Sequence, residues 1–204
     1  MEIDRENLLK NLKNQGFSDE IVKAFSKVKR ENFVPSQFTN YAYEDIAIPL
    51  EDGSTLSQPT TIAVILSILD AKQHNNILEI GSGSGYVLSL TSEIIKSGKI
   101  YGMEINPRLA IASRKLLELD SNIEIINRSG LKGLPEKAQF DRILVSAAFP
   151  DRVIPYKLLE QLKDPGILVA PVKQTLLKLI KNKGQIIEEE FPGFVFVPFV
   201  VEEK

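Results

Sequence analysis

Apolar residues recur at two spacings along this chain, and the spacing assigns most of its elements. Ile21, Phe25 and Val28 recur at helical spacing behind Ser18, a good N-cap, with Asp19 and Glu20 in the first turn where the helix dipole favours anions. Pro35 limits this helical N-terminal region. A helix is expected over 60–71, with Ile62, Ile65, Leu66 and Leu69 on one face. From residue 76 short apolar runs alternate with helical patterns. Asn76 to Ile80 reads as a strand, 86–96 as a helix and Lys99 to Met103 as a strand. Pro107 opens a helix carrying Leu109, Ala112, Leu116 and Leu117. Strands follow at Ile123 to Ile126 and Asp141 to Val145, then a short helix holding Leu158 to Leu162 and a strand from Ile167 to Ala170. Leu176 to Ile180 and Gln185 to Glu190 flank a turn at Asn182-Lys183-Gly184, and Phe194 to Val201 reads as a last strand.

Buried strands separated by helices imply an α/β fold with a doubly wound, mostly parallel sheet, here with N-terminal helices before it and antiparallel strands after it. One domain is expected over residues 1–204, with the helices and an irregular stretch in 1–60 and the alternating core in 61–204. Residues 36–59 fit no regular element, and a long irregular stretch in a compact domain is more often functional than idle.

Composition narrows the chemistry. The chain has no cysteine, which excludes disulfides, thiolate nucleophiles and cysteine-based zinc sites. Its one histidine, His74, lies in the polar run Lys72-Gln73-His74-Asn75-Asn76 and is expected to be a solvated loop residue. The formal net charge is −2, so nucleic acid is not an expected partner. No apolar run approaches the ~20 residues that a membrane span needs, and the charged start lacks an apolar signal core. A cytoplasmic protein is therefore expected, without membrane partners, and a monomer rather than an oligomer.

The stretch that carries chemistry is Ile77-Leu78-Glu79-Ile80-Gly81-Ser82-Gly83-Ser84-Gly85-Tyr86. It leaves a buried strand and enters a helix, where glycines let the backbone turn sharply and let a ligand touch the main chain. A dinucleotide fingerprint, G-x-G-x-x-G, would place its third glycine at Tyr86, one residue later than Gly85, and no Gly-Lys-Ser/Thr of a P-loop is present. Glu79, two residues before the first glycine, would repel a pyrophosphate but suits a cation. S-adenosylmethionine carries a sulfonium and an ammonium and no phosphate. The pattern E-x-G-x-G-x-G resembles the first motif of Rossmann-like S-adenosylmethionine methyltransferases. Glu104 stands 23 residues past Gly81, near where an acid accepts hydrogen bonds from ribose hydroxyls in nucleotide-binding α/β folds.

Most of the chain resembles the protein-L-isoaspartate O-methyltransferase family. Arg30-Glu31-Asn32-Phe33-Val34-Pro35 is similar to its R-E-x-F-V-P, Ala42-Tyr43-Glu44-Asp45 to its A-Y-E-D, and Gly53-Ser54-Thr55-Leu56-Ser57-Gln58-Pro59 to its substrate loop, G-x-T-I-S-x-P. Leu78 to Tyr86 is similar to L-E-I-G-x-G-S-G-Y, and Ser146-Ala147-Ala148 and Phe196-Val197-Pro198 match later segments. The resemblance implies methyl transfer from S-adenosylmethionine to the free carboxylate of L-isoaspartyl residues in peptides and damaged proteins. It puts Ser57 and Thr55 against the substrate carboxylate. It puts Glu79, Gly81, Ser82, Gly83 and Gly85 at the methionine end of the cofactor, Glu104 on the ribose, and Ser129 and Gly130 at the adenine. Two positions depart from the family pattern. Ser54 replaces a glutamine before the loop threonine, and Arg128-Ser129-Gly130 replaces G-D-G, whose aspartate reads the adenine amine. Two alternatives stay open from sequence: a methyltransferase of the same build acting on another carboxylate or small molecule, and a degenerate module that only binds the nucleoside. Ser57 also stands where it would cap the helix over 60–71.

Overall fold

The computed structural model describes residues 2–200. Two N-terminal helices, α1 (Glu2–Asn14) and α2 (Asp19–Lys27), precede a run of 3-10 turns and a two-stranded hairpin of β1 (Ile48–Pro49) and β2 (Thr55–Leu56). Ser18 caps α2 as its sequence requires, its Oγ accepting from the Ile21 amide at 3.4 Å. Helix α3 (Pro59–Leu69) begins with proline at its first position. Gln58, not Ser57, holds the cap position, and its side chain makes no capping bond. The Asp45 carboxylate accepts from the Thr60 amide at 2.8 Å and the Thr60 hydroxyl at 2.7 Å, so an acid from the A-Y-E-D segment satisfies the helix end.

The core sheet then builds as β3 (Asn76–Ile80), α4 (Tyr86–Ile95), β4 (Lys99–Glu104), α5 (Pro107–Leu116), β5 (Ile123–Asn127), β6 (Phe140–Val145), α6 (Tyr156–Glu160), β7 (Leu162–Val172), β8 (Thr175–Asn182) and β9 (Gln185–Pro192). The order across the sheet is β5-β4-β3-β6-β7-β8-β9. The first five strands in this order are parallel, and β8 and β9 fold back antiparallel. This is the expected doubly wound sheet with an antiparallel end. The parallel strands are apolar on both faces because helices cover both: Ile77, Leu78 and Ile80 of β3 and Ile143, Leu144 and Val145 of β6 are all buried. Strand β9 is exposed along most of its length and carries Glu188, Glu189 and Glu190, charges that discourage edge pairing. The turn before it holds Lys183 and Gly184 at φ 52° and 75°, the two left-handed positions of a tight hairpin turn.

Three expectations need correction. Residues 194–200 form no strand, and Val201 lies outside the described residues. That segment instead makes one bridge, Ala148 donating to the Val197 carbonyl and Phe199 to the Ala148 carbonyl, both at 2.8 Å, while Phe199 stacks on Phe149 at 4.6 Å. The short helix ends at Glu160, and Leu162 already belongs to β7. Strand β7 runs through Asp164-Pro165-Gly166, with a register shift against β6 between Phe140 and Arg142 that absorbs the irregularity. His74 is an exposed loop residue at φ 69°, its Nδ1 2.5 Å from Ser97 Oγ.

Candidate active site

Chain order reverses around β3, which lies between β4 and β6, and a crevice opens at the carboxyl ends of these strands. The glycine turn forms its floor. Gly81, Gly83 and Gly85 have φ of 80°, 53° and 85°, values that side chains rarely adopt. A Cβ on Gly81 would stand 3.8 to 3.9 Å from Ser146 and Ala147, and one on Gly83 3.7 Å from Leu50. The missing side chains therefore leave backbone open toward the far walls of the crevice.

Two buried acids flank this turn. Glu104, at the end of β4, is 5% exposed. Its Oε2 accepts from the Gly83 amide at 2.7 Å and its Oε1 from the Asn106 amide at 2.8 Å, so it ties the glycine turn to the start of α5. Asn106 caps α5, accepting from the amides of Arg108 and Leu109 at 2.9 and 3.3 Å. Its Nδ2 also donates to Asp52 at 2.7 Å, which clasps the loop between β1 and β2 to the same helix end.

Glu79, in β3, is 3% exposed. Its Oε1 accepts from Ser146 Oγ at 2.8 Å, and its Oε2 has no hydrogen-bond partner among the described residues. The buried hydroxyls of Ser82 and Ser84 also lack one. Burial, opposed by the Ser146 hydrogen bond and helped by the nearby Glu104 charge, pushes the Glu79 carboxyl up to about 8. The folded protein then holds a proton that the unfolded chain releases, so this group's contribution to stability is full below about 4.5 and is lost as pH rises toward about 8. Thermal unfolding of the ligand-free protein followed from pH 5 to 8 is expected to lose part of that fall in Glu79→Gln; parallel profiles would show that Glu79 does not titrate in this window.

Thr55 and Ser57 reach the same crevice from the other side. Ser57, Thr55, Glu79, Gly81, Ser82, Gly83 and Ser146 line one part of it, and Thr55, Gly81, Gly83, Glu104, Gly130 and Ser146 line the adjoining part under the Val197–Phe199 segment. Gly85 and Ser129 line neither part. Gly85 starts α4 against Ser113 and Leu117 of the α5 end. Ser129 is half-buried beside Gly130, its Oγ accepting from the Leu131 amide at 3.5 Å. Arg128 is exposed and pairs with Glu136 at 2.8 Å. Sequence reasoning did not single out Ser146 or Asn106 as site residues. Both follow the carboxyl end of a strand next to the topological switch, and that position was the available signal.

An acid with one unpaired oxygen, a bare glycine turn and a second acid at ribose distance in sequence suit a ligand that carries positive charge at one end and hydroxyls further along. S-adenosylmethionine meets that description. Ser57 and Thr55 line the same crevice, and their hydroxyls can donate to an anionic acceptor.

A family model described as Protein-L-isoaspartate(D-aspartate) O-methyltransferase (PCMT) matches residues 3–204. The protein-L-isoaspartate O-methyltransferase of Thermosipho melanesiensis is 39% identical over 200 residues, covering 95% of this chain and 100% of the relative. That of Fervidobacterium nodosum is 41% identical over 198 residues, covering 94% and 98%. A solved protein-L-isoaspartate O-methyltransferase superposes with a TM-score of 0.85 at 26% identity, over 95% of this chain and 65% of that longer one. The glycine turn, the Thr-Leu-Ser loop facing it, the family match over residues 3–204 and 39% and 41% identity to relatives over nearly the full length lead to one conclusion: this chain belongs to the protein-L-isoaspartate O-methyltransferase family.

Proposed function

We infer that the protein transfers a methyl group from S-adenosylmethionine to the free carboxylate of L-isoaspartyl residues in damaged proteins, the first step of their repair. The observation that carries this reading is the convergence of the Thr55–Ser57 loop and the Glu79–Gly83 turn on one crevice. A cation-binding acid and a carboxylate-binding hydroxyl face the same space.

The acceptor determines what the chain must supply. A carboxylate has a reference pKa of about 4 and is ionised at neutral pH, so no general base is needed. When bound, S-adenosylmethionine supplies an electrophilic methyl carbon on a sulfonium. Ser57 donates to one acceptor oxygen and aims the other, with Thr55 beside it. Alignment of this kind supplies much of the acceleration in a two-substrate transfer. Glu79 holds the cationic end of the cofactor and Glu104 its ribose hydroxyls, while Gly81 and Gly83 admit the close approach of both. Opposite charges meet and cancel in the reaction, so a crevice from which water is excluded favours the transition state. The Val197–Phe199 segment and the loop clasped by Asp52 and Asn106 border it.

Ser57→Ala is expected to lower kcat by about 10- to 100-fold and to leave the S-adenosylmethionine dissociation constant within about twofold, since a lost hydrogen bond to a charged group is worth roughly 1.5–3 kcal/mol and the Ser57 hydroxyl is assigned to the acceptor alone. Initial rates with an isoaspartyl peptide, beside calorimetric titration of the cofactor, test this. A variant with wild-type turnover removes Ser57 from the acceptor site.

At the adenine end, we propose that Ser129 stands where the family uses an aspartate. Charged hydrogen bonds exceed neutral ones by about 1 kcal/mol, so Ser129→Asp is expected to tighten cofactor binding about fivefold. Arg128 is engaged with Glu136 on the surface, so Arg128→Gly alone is expected to change nothing. If neither Ser129→Asp nor the double variant with Arg128→Gly binds more tightly than the parent, adenine is read by another segment.

A further inference from the structure

Arg30 is fully buried, 0% exposed, and among the described residues no acid stands at ion-pair distance from it. Its Nη2 donates to the Ser57 carbonyl at 2.9 Å and, at the limit of a bond, to the Ile46 carbonyl at 3.5 Å. Its Nε and Nη1 have no hydrogen-bond partner among the described residues. Its guanidinium carbon lies 5.1 Å from the centre of the Tyr86 ring, and Tyr86 opens α4 directly after the glycine turn. Asp45, which also caps α3, partly offsets its charge, and the Tyr86 and Tyr43 hydroxyls contribute beside it. A buried guanidinium with two nitrogens short of full hydrogen bonds is costly unless a neighbouring negative charge compensates it.

The other buried acidic or basic groups at the crevice are Glu79 and Glu104. Glu104, and Glu79 once a bound cation draws off its proton, attract a cationic cofactor and repel an anionic acceptor. Among the described residues the one fully buried cation, Arg30, stands directly behind Ser57, the residue assigned to the acceptor. We propose that Arg30 is a positioning residue that supplies the counter-charge admitting the acceptor carboxylate, acting through the Ser57 backbone it holds and through its field rather than by touching substrate. This rests on the functional reading above. The bond to the Ser57 carbonyl fixes one wall of the crevice, and the contact with Tyr86 fixes the other.

The test compares Arg30→Gln, which can keep a donor to the Ser57 carbonyl but loses the charge, with Arg30→Lys, which keeps both. Isoaspartyl-peptide affinity, kcat and S-adenosylmethionine affinity are measured for each, with thermal unfolding as a control for folding. Arg30→Gln is expected to weaken peptide binding about tenfold or more. It is expected to leave S-adenosylmethionine binding within about twofold of the parent, because Arg30 bonds to the Ser57 and Ile46 carbonyls and to neither Glu79 nor Glu104. Arg30→Lys is expected to restore peptide affinity to within about threefold of the parent. A purely structural role would weaken both ligands together and would not distinguish the two variants; that pattern, or unchanged peptide affinity in Arg30→Gln, overturns the proposal. Should Arg30→Gln not fold, the parent protein decides by competition between the isoaspartyl peptide and its neutral isoasparagine analogue. A carboxylate preference of about tenfold or more supports the proposal, and equal binding overturns it. Methylation of the isoaspartyl peptide by the parent protein is scored separately, so failure of the functional reading is distinguishable from failure of the Arg30 assignment.

Discussion

Glu104→Ala is expected to weaken S-adenosylmethionine binding by about 10- to 100-fold, the range set by roughly 1.5–3 kcal/mol for a charged hydrogen-bonding group. Its surroundings push the effect to the upper end. Both carboxylate oxygens already accept backbone amides, from Gly83 and Asn106. Truncation removes the carboxylate proposed for the ribose and also leaves these two amides without their acceptor, one in the glycine turn and one at the start of α5. The turn loses the anchor that holds its shape. Calorimetric titration tests this, with Glu104→Gln as a companion that keeps an oxygen for one of the amides and is expected to fall between the alanine variant and the parent. An unchanged dissociation constant in the alanine variant removes Glu104 from the cofactor site.

Gly130→Ala is expected to lower both stability and cofactor affinity. A Cβ there would stand 2.1 Å from Ile80 Cγ2 and 3.1 Å from Ile80 Cβ. Ile80 is 2% exposed and β-branched, so it has no flexible end to move aside. Either β3 or the turn at 128–131 must shift. Overpacking of this kind costs about 1–3 kcal/mol. A protein of this size loses about 2–4 °C per kcal/mol, so Tm is expected to drop by roughly 2–12 °C. Because β3 leads directly into Gly81, displacement at Ile80 carries into the glycine turn, and binding weakens beyond what the loss of a glycine outside the turn would produce. Thermal unfolding with and without S-adenosylmethionine separates the two effects. A Tm within 1 °C of the parent, an assay margin of about 0.5 kcal/mol or less, would show that the 128–131 turn absorbs the methyl group freely.

The parallel core was legible because each of its strands is a short apolar run bounded by turn residues, and the helices between them keep a 3.6-residue period. Residues 194–200 do not form the expected strand, for a physical reason. Phe194, Phe196 and Phe199 are apolar because they pack against the sheet end and Phe149, whereas Val195 and Val200 are exposed. Apolar content alone does not separate a strand from a segment laid across one. Strand β7 was underestimated because Asp164-Pro165-Gly166 has turn composition, yet a register shift accommodates it within the ladder. In the crevice, the glycine turn and Glu104 could be read because their spacing follows one strand-turn-helix unit and its neighbour. Arg30, Asp45 and Ser146 could not be read this way. Their partners Ser57, Thr60 and Glu79 lie 27, 15 and 67 residues away, and only the folded chain joins them.

The most direct test of the account is methyl transfer from labelled S-adenosylmethionine to paired peptides that differ only in an isoaspartyl or an aspartyl linkage at one residue. The account predicts label on the isoaspartyl peptide, as a base-labile ester at its free α-carboxylate, and none above background on the aspartyl peptide. Equal labelling of the two, or S-adenosylmethionine binding without transfer to either, would contradict it.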